Sequence, residues 1–568
     1  MSKKVIVIGA VALGPKAACR FKRLDPEASV TMIDEAGMIS YGGCGIPYYV
    51  SGDVSDARDL QSTTFHMIRD ARFFKEAKGV DVMTRTRALS IDRATKTVLV
   101  KNMETMEESS LHYDKLVLAT GSRPRKIPLP GIDLENVFTV SGLEEAVLIR
   151  EKISKGDVSR AVVVGAGFIG LEMAEALADL WGIETSVVEI AQQIMPGFVS
   201  SVVAGMAGKV MEDNGVRLLL GEKVLEMAGN GRVERVITDK REMEADLVIM
   251  SVGVEPNSRL AREAGLAVSE GGAIIVDKYL RTSDPDIYSG GDCVEIENLV
   301  TGQPGYFPLG SMANRQGRVI GTNLAGGSDT FPGAVGSFVI KLFDHGVAGT
   351  GLSLESARKA GFEAMNAYVV QFDKSHFYPE KDLLLMELVF ETPTGRVLGL
   401  QGMSTNGDSL KGRVDSVGVI LPHKPTTKDI SNLELAYSPP FSSAMDALNN
   451  LGHTAENILM GRNQGIGPEE FVKLWEDREN RDVVVLDCRD LEDAQELLEK
   501  FPGKWFNVPN ESLESNLSKV PQASTIILAC NTGGRSYESQ LKLRKQGVDN
   551  TLNISGGIGL LKKWGFEF

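Results

Sequence analysis

The chain has 568 residues, enough for several domains, and its 43% hydrophobic and 24% charged residues are those of an ordinary globular protein. A formal net charge of −15 argues against nucleic acid or an anionic membrane surface as the main partner, while leaving room for a local basic patch that holds a phosphorylated ligand. Five cysteines, at 19, 44, 293, 488 and 530, show neither disulfide-framework spacing nor metal-pair spacing, so no metal site is expected. Met1-Ser2-Lys3-Lys4-Val5 runs straight into a strand without a signal-peptide core, and no apolar run is long enough to span a bilayer. Free thiols and no membrane segment lead to the expectation of a reducing, cytoplasmic setting.

Lys4-Val5-Ile6-Val7-Ile8 reads as a buried parallel strand, and Gly9-Ala10-Val11-Ala12-Leu13-Gly14 follows it into a helix. The next strand, Val30-Thr31-Met32-Ile33, ends at Asp34, 25 positions after Gly9. That spacing fits a dinucleotide fingerprint whose acid bonds a ribose hydroxyl, although Val11 stands where the middle glycine belongs. Ser40-Tyr41-Gly42-Gly43-Cys44-Gly45-Ile46-Pro47 then sets one thiol among glycines ahead of a helix start near Pro47. The positive end of that helix is expected to favour thiolate at Cys44. A redox pair would need a second cysteine at 49, but the residue is Tyr49, so the sulfur partner of Cys44 comes from outside.

A further buried strand, Leu116-Val117-Leu118, ends in Ala119-Thr120-Gly121. After a linker rich in Pro and Gly, Ala161-Val162-Val163-Val164 leads into Gly165-Ala166-Gly167-Phe168-Ile169-Gly170, and the following strand ends at Glu189, 24 positions after Gly165. All three glycines, both strands and the acid are present, so a helix amino terminus should hold a pyrophosphate. Glu189 suits a free 2′-hydroxyl, and Ile190-Ala191-Gln192-Gln193 offers no cation to a 2′-phosphate, which predicts NADH over NADPH. The strand Leu247-Val248-Ile249-Met250 precedes Gly253. Ser289-Gly290-Gly291-Asp292 offers an acid to a polyol chain, and the segment from Pro308 through Ala313 reads as a helix start that can approach a ring system.

From about Phe331 the pattern becomes α+β, with strands near 383–390 and 397–401 joined by a Thr394-Gly395 hairpin turn. Leu435-Ala436-Tyr437-Ser438-Pro439-Pro440-Phe441 is a rigid loop bearing one aromatic hydroxyl. Asn463-Gln464-Gly465 reads as a linker to a small α/β unit. There the strand Thr525-Ile526-Ile527-Leu528-Ala529 delivers Cys530 to a loop, Asn531-Thr532-Gly533-Gly534-Arg535-Ser536, whose backbone N–H groups form a nest for a sulfur anion, with Arg535 adding positive charge. Cys488 lacks such a loop and reads as a core residue.

On these residues the first 460 or so positions resemble the FAD-dependent pyridine nucleotide–disulfide oxidoreductases, and among them the single-cysteine coenzyme A disulfide reductases. The last hundred or so resemble a rhodanese domain, and the fusion is similar to NADH-dependent coenzyme A persulfide/polysulfide reductases. The most specific segments are Tyr41 to Tyr49, Ala119-Thr120-Gly121, Gly290-Gly291-Asp292, and the loops of Tyr437 and Cys530. The resemblance implies an α/β protein with two Rossmann-like FAD and NAD domains, an α+β dimerisation domain and a C-terminal α/β rhodanese domain. The corresponding boundaries are 1–150 and 276–328 for FAD, 151–275 for NADH, 329–462 for dimerisation and 463–568 for rhodanese.

It further implies that Gly9, Ala10, Val11, Ala12, Gly14 and Asp34 bind the ADP part of FAD. Ala119, Thr120, Gly121, Gly291, Pro308 and Ala313 would complete that site, and Asp292 would bond the ribitol. Gly165, Gly167, Ile169, Gly170, Glu189 and Gly253 would bind NADH. Cys44 matches the redox nucleophile beside the flavin, and Tyr437 and Tyr378 match tyrosines presented to it by the partner subunit of a homodimer. Lys16, Arg20, Arg23, Ser40 and Lys78 fall at positions that line a coenzyme A channel, and Cys530 matches the sulfur carrier. The chain departs from the pattern at Ala10 and Leu13, where many relatives have glycine, at Gly43 in place of asparagine, at Lys16 and Arg20, and at Phe441 in place of a tyrosine. Ala12 stands where related NADH oxidases and peroxidases have histidine, which counts against peroxide chemistry. The leading expectation is an enzyme that reduces sulfane sulfur with NADH. An NADH oxidase or peroxidase, with Cys44 cycling through sulfenic acid, and a redox-sensing sulfur-delivery module are the alternatives.

Overall fold

A computed structural model describes residues 2–568, folded into two compact units. The first holds everything described up to Gln192 together with Gly215–Ala334; the second holds Gln193–Asn214 and Val335–Phe568.

The first unit is built on two parallel five-stranded sheets. One runs in the order Ile287–Ser289, Lys115–Leu118, Lys4–Ile8, Ser29–Ile33, Asp81–Met83. Its strands are continuous apolar runs because both faces are covered, and Val5, Val7, Leu116 and Val117 are fully buried. Helix Leu13–Leu24 packs on this sheet and against helix Gly310–Leu324. The two helices touch at glycines: a Cβ on Gly317 would lie 2.8 Å from the Leu13 carbonyl oxygen, and one on Gly321 2.7 Å from that of Ala17. The other sheet runs Arg217–Leu220, Glu184–Glu189, Arg160–Val164, Leu247–Met250, Val137–Phe138. Each sheet has a three-stranded antiparallel companion, Thr86–Asp92 to Glu108–His112 and Val224–Ala228 to Glu242–Glu244.

The second unit contains an antiparallel sheet in the order Phe338–Leu342, His345–Gly351, Val397–Ser404, Leu383–Glu391, Ala364–Phe372. The predicted hairpin is present, with Gly395 at φ +70° in its turn. Beside it stands a parallel sheet in the order Gly465–Ile466, Thr551–Ile554, Thr525–Ala529, Val483–Asp487, Trp505–Asn507. Phe471, Trp475 and Trp505 close one face of it. Helix Ser201–Asp213 folds into this unit. Its cap Ser200 bonds the buried Glu387, its amide N–H donates to Gln401 Oε1 at 2.8 Å, and Gly205 packs beneath Trp564.

No described helix is long and apolar enough to cross a membrane. Among the described residues, no three or more His, Cys, Asp or Glu side chains are grouped to hold a metal ion.

Candidate functional site

The two glycine motifs share one internal wiring. Asp34 accepts the Ala10 N–H at 2.7 Å and the Ala36 N–H at 2.9 Å, and Glu189 accepts those of Ala166 and Ala191, both at 2.8 Å. Each acid thereby clamps the glycine turn of its own motif. Burial pushes the Asp34 carboxyl up, against the pull of those two N–H groups. The outer glycines are required by packing. A Cβ on Gly9 would sit 2.0 Å from the Ala119 carbonyl oxygen, on Gly14 1.9 Å from that of Gly9, on Gly165 2.3 Å from that of Ser251, and on Gly170 2.0 Å from that of Gly165. Gly167 is different: nothing stands within 4 Å of the Cβ position, so the space before the amino terminus of helix Phe168–Ala178 is free for a pyrophosphate. Val11 fills the equivalent place in the first motif.

A cleft of about 1350 Å³ opens over the first sheet. It is lined by residues 9–13, Asp34, Ala119, Thr120 and Gly121, by Gly290, Gly291 and Asp292, and by Ala313. Asp292 accepts the Ser122 hydroxyl at 3.3 Å, and burial raises its carboxyl. Gly121, at φ +63°, also faces open space. A cleft of this volume, lined by the glycine turns and by a carboxylate with one hydroxyl partner, fits a dinucleotide with a polyol chain. Gly14 and Pro308 are not among the residues that line the cleft; Gly14 packs on the Gly9 carbonyl, and Pro308 precedes helix Gly310–Leu324. Ile169 is exposed on its helix, and Gly253 follows its strand at φ +93°.

Cys44 is exposed in the turn Gly43–Gly45, directly before helix Ile46–Ser51, as expected from Pro47. The start of helix Gly310–Leu324 meets it, with the Gly310 Cβ position 3.8 Å from the sulfur. Its electrostatics differ from the sequence-based expectation. Surrounding protein pushes the thiol above its ordinary range, and Glu172 and Asp292 add to the rise, so the free chain does not favour thiolate there. Glu172 was not singled out from sequence. It sits on helix Phe168–Ala178, shares a hydrogen bond with Tyr48, and is pushed up to about 7 by burial and by Glu175. An acid inside the apolar run Phe168-Ile169-Gly170-Leu171-Glu172-Met173-Ala174 was the available signal.

The basic residues of helix Leu13–Leu24 and Lys78 partly converge. Lys16, Arg23 and Lys78 all act on the Cys19 thiol, whose pKa burial raises and they lower. Arg20 turns its Nε to the Thr322 hydroxyl at 3.2 Å. Ser40 is buried at φ +51°, its N–H on the Ala10 carbonyl.

In the second unit, the Tyr378 and Tyr437 loops are stitched together. The Ser375 N–H donates to Pro439 O at 3.3 Å and its hydroxyl to Ser442 O at 3.1 Å, leaving Tyr437 half exposed. Cys530 lies at the end of strand Thr525–Ala529. Its sulfur accepts the N–H groups of Gly533 at 3.1 Å and Ser536 at 3.4 Å and contacts the Ser536 hydroxyl at 3.2 Å. The αL conformation of Gly533, φ +92°, turns its N–H inward. Arg535 stands 4.0 Å from Asp490. Arg489, missed from sequence, is held by buried Asp487 at 2.7 Å, and Asp487 also takes the Trp505 indole N–H at 3.0 Å. Cys488 is buried, with its thiol pushed up to about 12 by burial, as suits a core residue.

Two nucleotide motifs, each closed by its acid, and a cleft that fits a dinucleotide define a nucleotide-dependent oxidoreductase, with an exposed thiol near Asp292 of that cleft and a second thiol in an N–H nest. The comparisons agree. Residues 3–317 match the pyridine nucleotide-disulphide oxidoreductase family, 338–448 its dimerisation domain and 470–563 the rhodanese-like domain. The chain belongs to this family; it is an oxidoreductase that uses FAD and a pyridine nucleotide. A CoA-dependent NAD(P)H sulfur oxidoreductase of Pyrococcus abyssi is 35% identical over 79% of this chain and 97% of its own. The structure of an NAD-dependent persulfide reductase from A. fulgidus superimposes with a TM-score of 0.92 at 36% identity, covering 98% of this chain and 99% of that one. That of a FAD-dependent pyridine nucleotide-disulphide oxidoreductase from Desulfovibrio vulgaris is 49% identical, with a TM-score of 0.66, over 80% of this chain and 100% of its own.

Proposed function

We propose that the chain is an NADH-dependent reductase of sulfane sulfur in coenzyme A persulfide, polysulfide or coenzyme A disulfide, acting as a homodimer, with Cys44 as the redox thiol and Cys530 as a sulfur carrier. The observation that carries this reading is the ring of Gly533 N–H, Ser536 N–H and Ser536 hydroxyl around the Cys530 sulfur, in the same chain as an exposed Cys44. An anionic sulfur that gains a second sulfur keeps these donors, whereas a packed core thiol has no use for them. The likeness over almost the whole chain to a persulfide reductase supports the same reading.

FAD, when bound in the cleft, supplies the two-electron relay between nicotinamide and sulfur. The chain's own residues do the rest. Asp34, Asp292 and Ala119-Thr120-Gly121 hold and orient the flavin nucleotide, and Gly167 with Glu189 seats NADH, whose free 2′-hydroxyl suits Glu189. Lys16, Arg23 and Lys78 offer charge to coenzyme A phosphates. The Cys44 thiolate attacks the inner sulfur of a persulfide, hydrosulfide leaves, and a mixed disulfide stays on Cys44 until two electrons and one proton return Cys44 as thiolate and release the substrate as a thiol. Tyr437 and Tyr378, on their joined loops, are presented to the partner subunit's thiol. Stopped-flow comparison tests this: Cys44→Ser should abolish NADH turnover with polysulfide, and parental turnover in that variant would refute the reading. Cys530→Ser should lower turnover with sulfur donors more than with coenzyme A disulfide; equal loss on both would remove its separate role.

A further inference from the structure

The Cys530 loop does not face open solvent alone. A cavity of about 790 Å³ lies between it and the outer strand Ala364–Phe372 and helix Ala447–Leu459 of the neighbouring domain in the same unit. That volume falls within the roughly 300–1,000 Å³ of sites for drug-sized ligands, and a five-atom oxyanion would leave most of it empty. Its two walls differ in chemistry. On the Cys530 side stand Arg489, Arg535 and Lys562, with no Asp or Glu among the lining residues. Arg489 is committed to buried Asp487 at 2.7 Å, and Arg535 stands at the 4.0 Å limit from the exposed Asp490, so Lys562 and the loosely paired Arg535 face the cavity with the available positive charge. On the opposite side, Asn450, His453, Thr454 and Asn457 follow the i, i+3, i+4, i+7 spacing that puts four polar side chains on one helix face.

The floor holds an unmet hydrogen-bond demand. Asn553, only 2% exposed, donates through Nδ2 to the Gly533 carbonyl at 3.3 Å and to Asn463 Oδ1 at 3.2 Å. The backbone carbonyl fixes which way the amide points. Its Oδ1 has no partner, although the residue lines the cavity next to the Cys530 loop. A buried acceptor left this way is costly until a donor, from an ordered water or a ligand group, reaches it.

We propose that this cavity docks an amide-bearing anionic persulfide, with the polar face of helix Ala447–Leu459 as the selecting wall, and that the docked persulfide hands its outer sulfur to Cys530. The inference rests on Cys530 being the sulfur carrier. Arg535 and Lys562 take the anionic groups, the helix face and Asn553 Oδ1 pair with the amides, and the sulfur end reaches the nest. In the transfer the Cys530 thiolate attacks the outer sulfur of R–S–SH. The new Cys530–sulfur bond forms as the bond to R–S breaks, the electron pair leaves as R–S⁻, and the proton stays on the moved sulfur. A carboxylate-bearing peptide persulfide and the pantetheine arm of coenzyme A persulfide share the required chemistry.

The test is the single-turnover rate of Cys530 persulfide formation in the full-length, FAD-loaded protein, followed by mass spectrometry. The donors are glutathione persulfide, coenzyme A persulfide and thiosulfate. In His453→Leu/Asn457→Leu the rate with at least one persulfide, relative to thiosulfate, should fall about tenfold, the loss expected for two neutral hydrogen bonds. The persulfide that loses more identifies the source. If both ratios stay within twofold, the proposal is overturned. Should that variant fold poorly, His453→Ala/Asn457→Ala serves with the same criterion. Cys530→Ser run alongside separates the two failures: persistence of sulfur loading in it refutes the carrier role itself, whereas its loss with unchanged ratios refutes only the selecting wall.

Discussion

Tyr48 and Glu172 share a hydrogen bond that joins the short helix after Cys44 to the helix of the second glycine motif, and both are displaced upward in pKa. Burial, then Glu172 and Glu175, push Tyr48 up to about 12; burial and Glu175 push Glu172 up to about 7, against the Tyr48 bond. Glu172 therefore gains its charge near neutral pH, and that charge opposes ionisation of Cys44. Glu172→Gln removes the opposition. The pH profile of Cys44 alkylation by iodoacetamide should move to lower pH in that variant, and a profile that stays put or moves upward would contradict the coupling.

The nest at Cys530 makes a graded prediction. Ser536 contributes both its N–H and its hydroxyl to the sulfur, and Ser536→Ala removes only the hydroxyl contact at 3.2 Å. A neutral hydrogen bond is worth about 1 kcal/mol, so the rate of sulfur loading on Cys530 should fall roughly fivefold with the fold intact. Quenched-flow mass spectrometry reads the rate, and circular dichroism checks the fold. An unchanged rate would show that the backbone N–H groups alone hold the sulfur.

How much the sequence carried depends on the range of the interaction. Lys4–Ile8, Arg160–Val164 and Thr525–Ala529 were legible because parallel strands covered on both faces must be continuous apolar runs. Gly165, Gly170 and Glu189 were legible because the turn imposes their spacing within one strand–helix–strand unit. The electrostatics at Cys44 were not, because Glu172 and Asp292 reach it from segments more than a hundred positions away. The helix after Cys44, read as its electropositive partner, is a single short turn-and-a-half of six residues, too small to outweigh two carboxylates and burial. Helix Ser201–Asp213 likewise gives no local sign that it packs on the antiparallel sheet, since the contacts that hold it, Ser200 with Glu387 and Gly205 under Trp564, span 187 positions and more. The polar face of helix Ala447–Leu459 was present as an i, i+3, i+4, i+7 pattern, but without the fold nothing says what it faces.

The glycines of the second motif can be separated by substitution. An Ala Cβ at Gly170 would meet the Gly165 carbonyl oxygen at 2.0 Å, a backbone clash that can be relieved only by moving the helix off the strand. Overpacking of this kind costs typically 1–3 kcal/mol. Gly167 has nothing within 4 Å and φ −76°, so Ala fits the fold but enters the space read as the pyrophosphate seat. Gly170→Ala should lower the thermal midpoint, whereas Gly167→Ala should keep it and raise the KM for NADH about tenfold. If Gly167→Ala leaves that KM unchanged, NADH does not lie over this turn.

Glu387 gives the fold a pH dependence of its own. It is fully buried, bonded to Asn366 at 2.6 Å and to Ser200, and pushed up to about 7 by burial despite those bonds. An unfolded glutamate titrates near 4.3, so the folded state binds its proton more tightly. A raised carboxyl pKa means that stability is greatest below the unfolded value, declines as pH climbs toward 7 and levels off above it. The decline amounts to about 4 kcal/mol for a displacement of this size. Glu387→Gln keeps the shape and an acceptor for Asn366 but cannot ionise. Its thermal midpoint relative to the parent should be similar at pH 5 and higher at pH 8, the gap opening between those values. A gap independent of pH would mean that Glu387 is already ionised across the range, and that Ser200 and Asn366 hold it as a carboxylate.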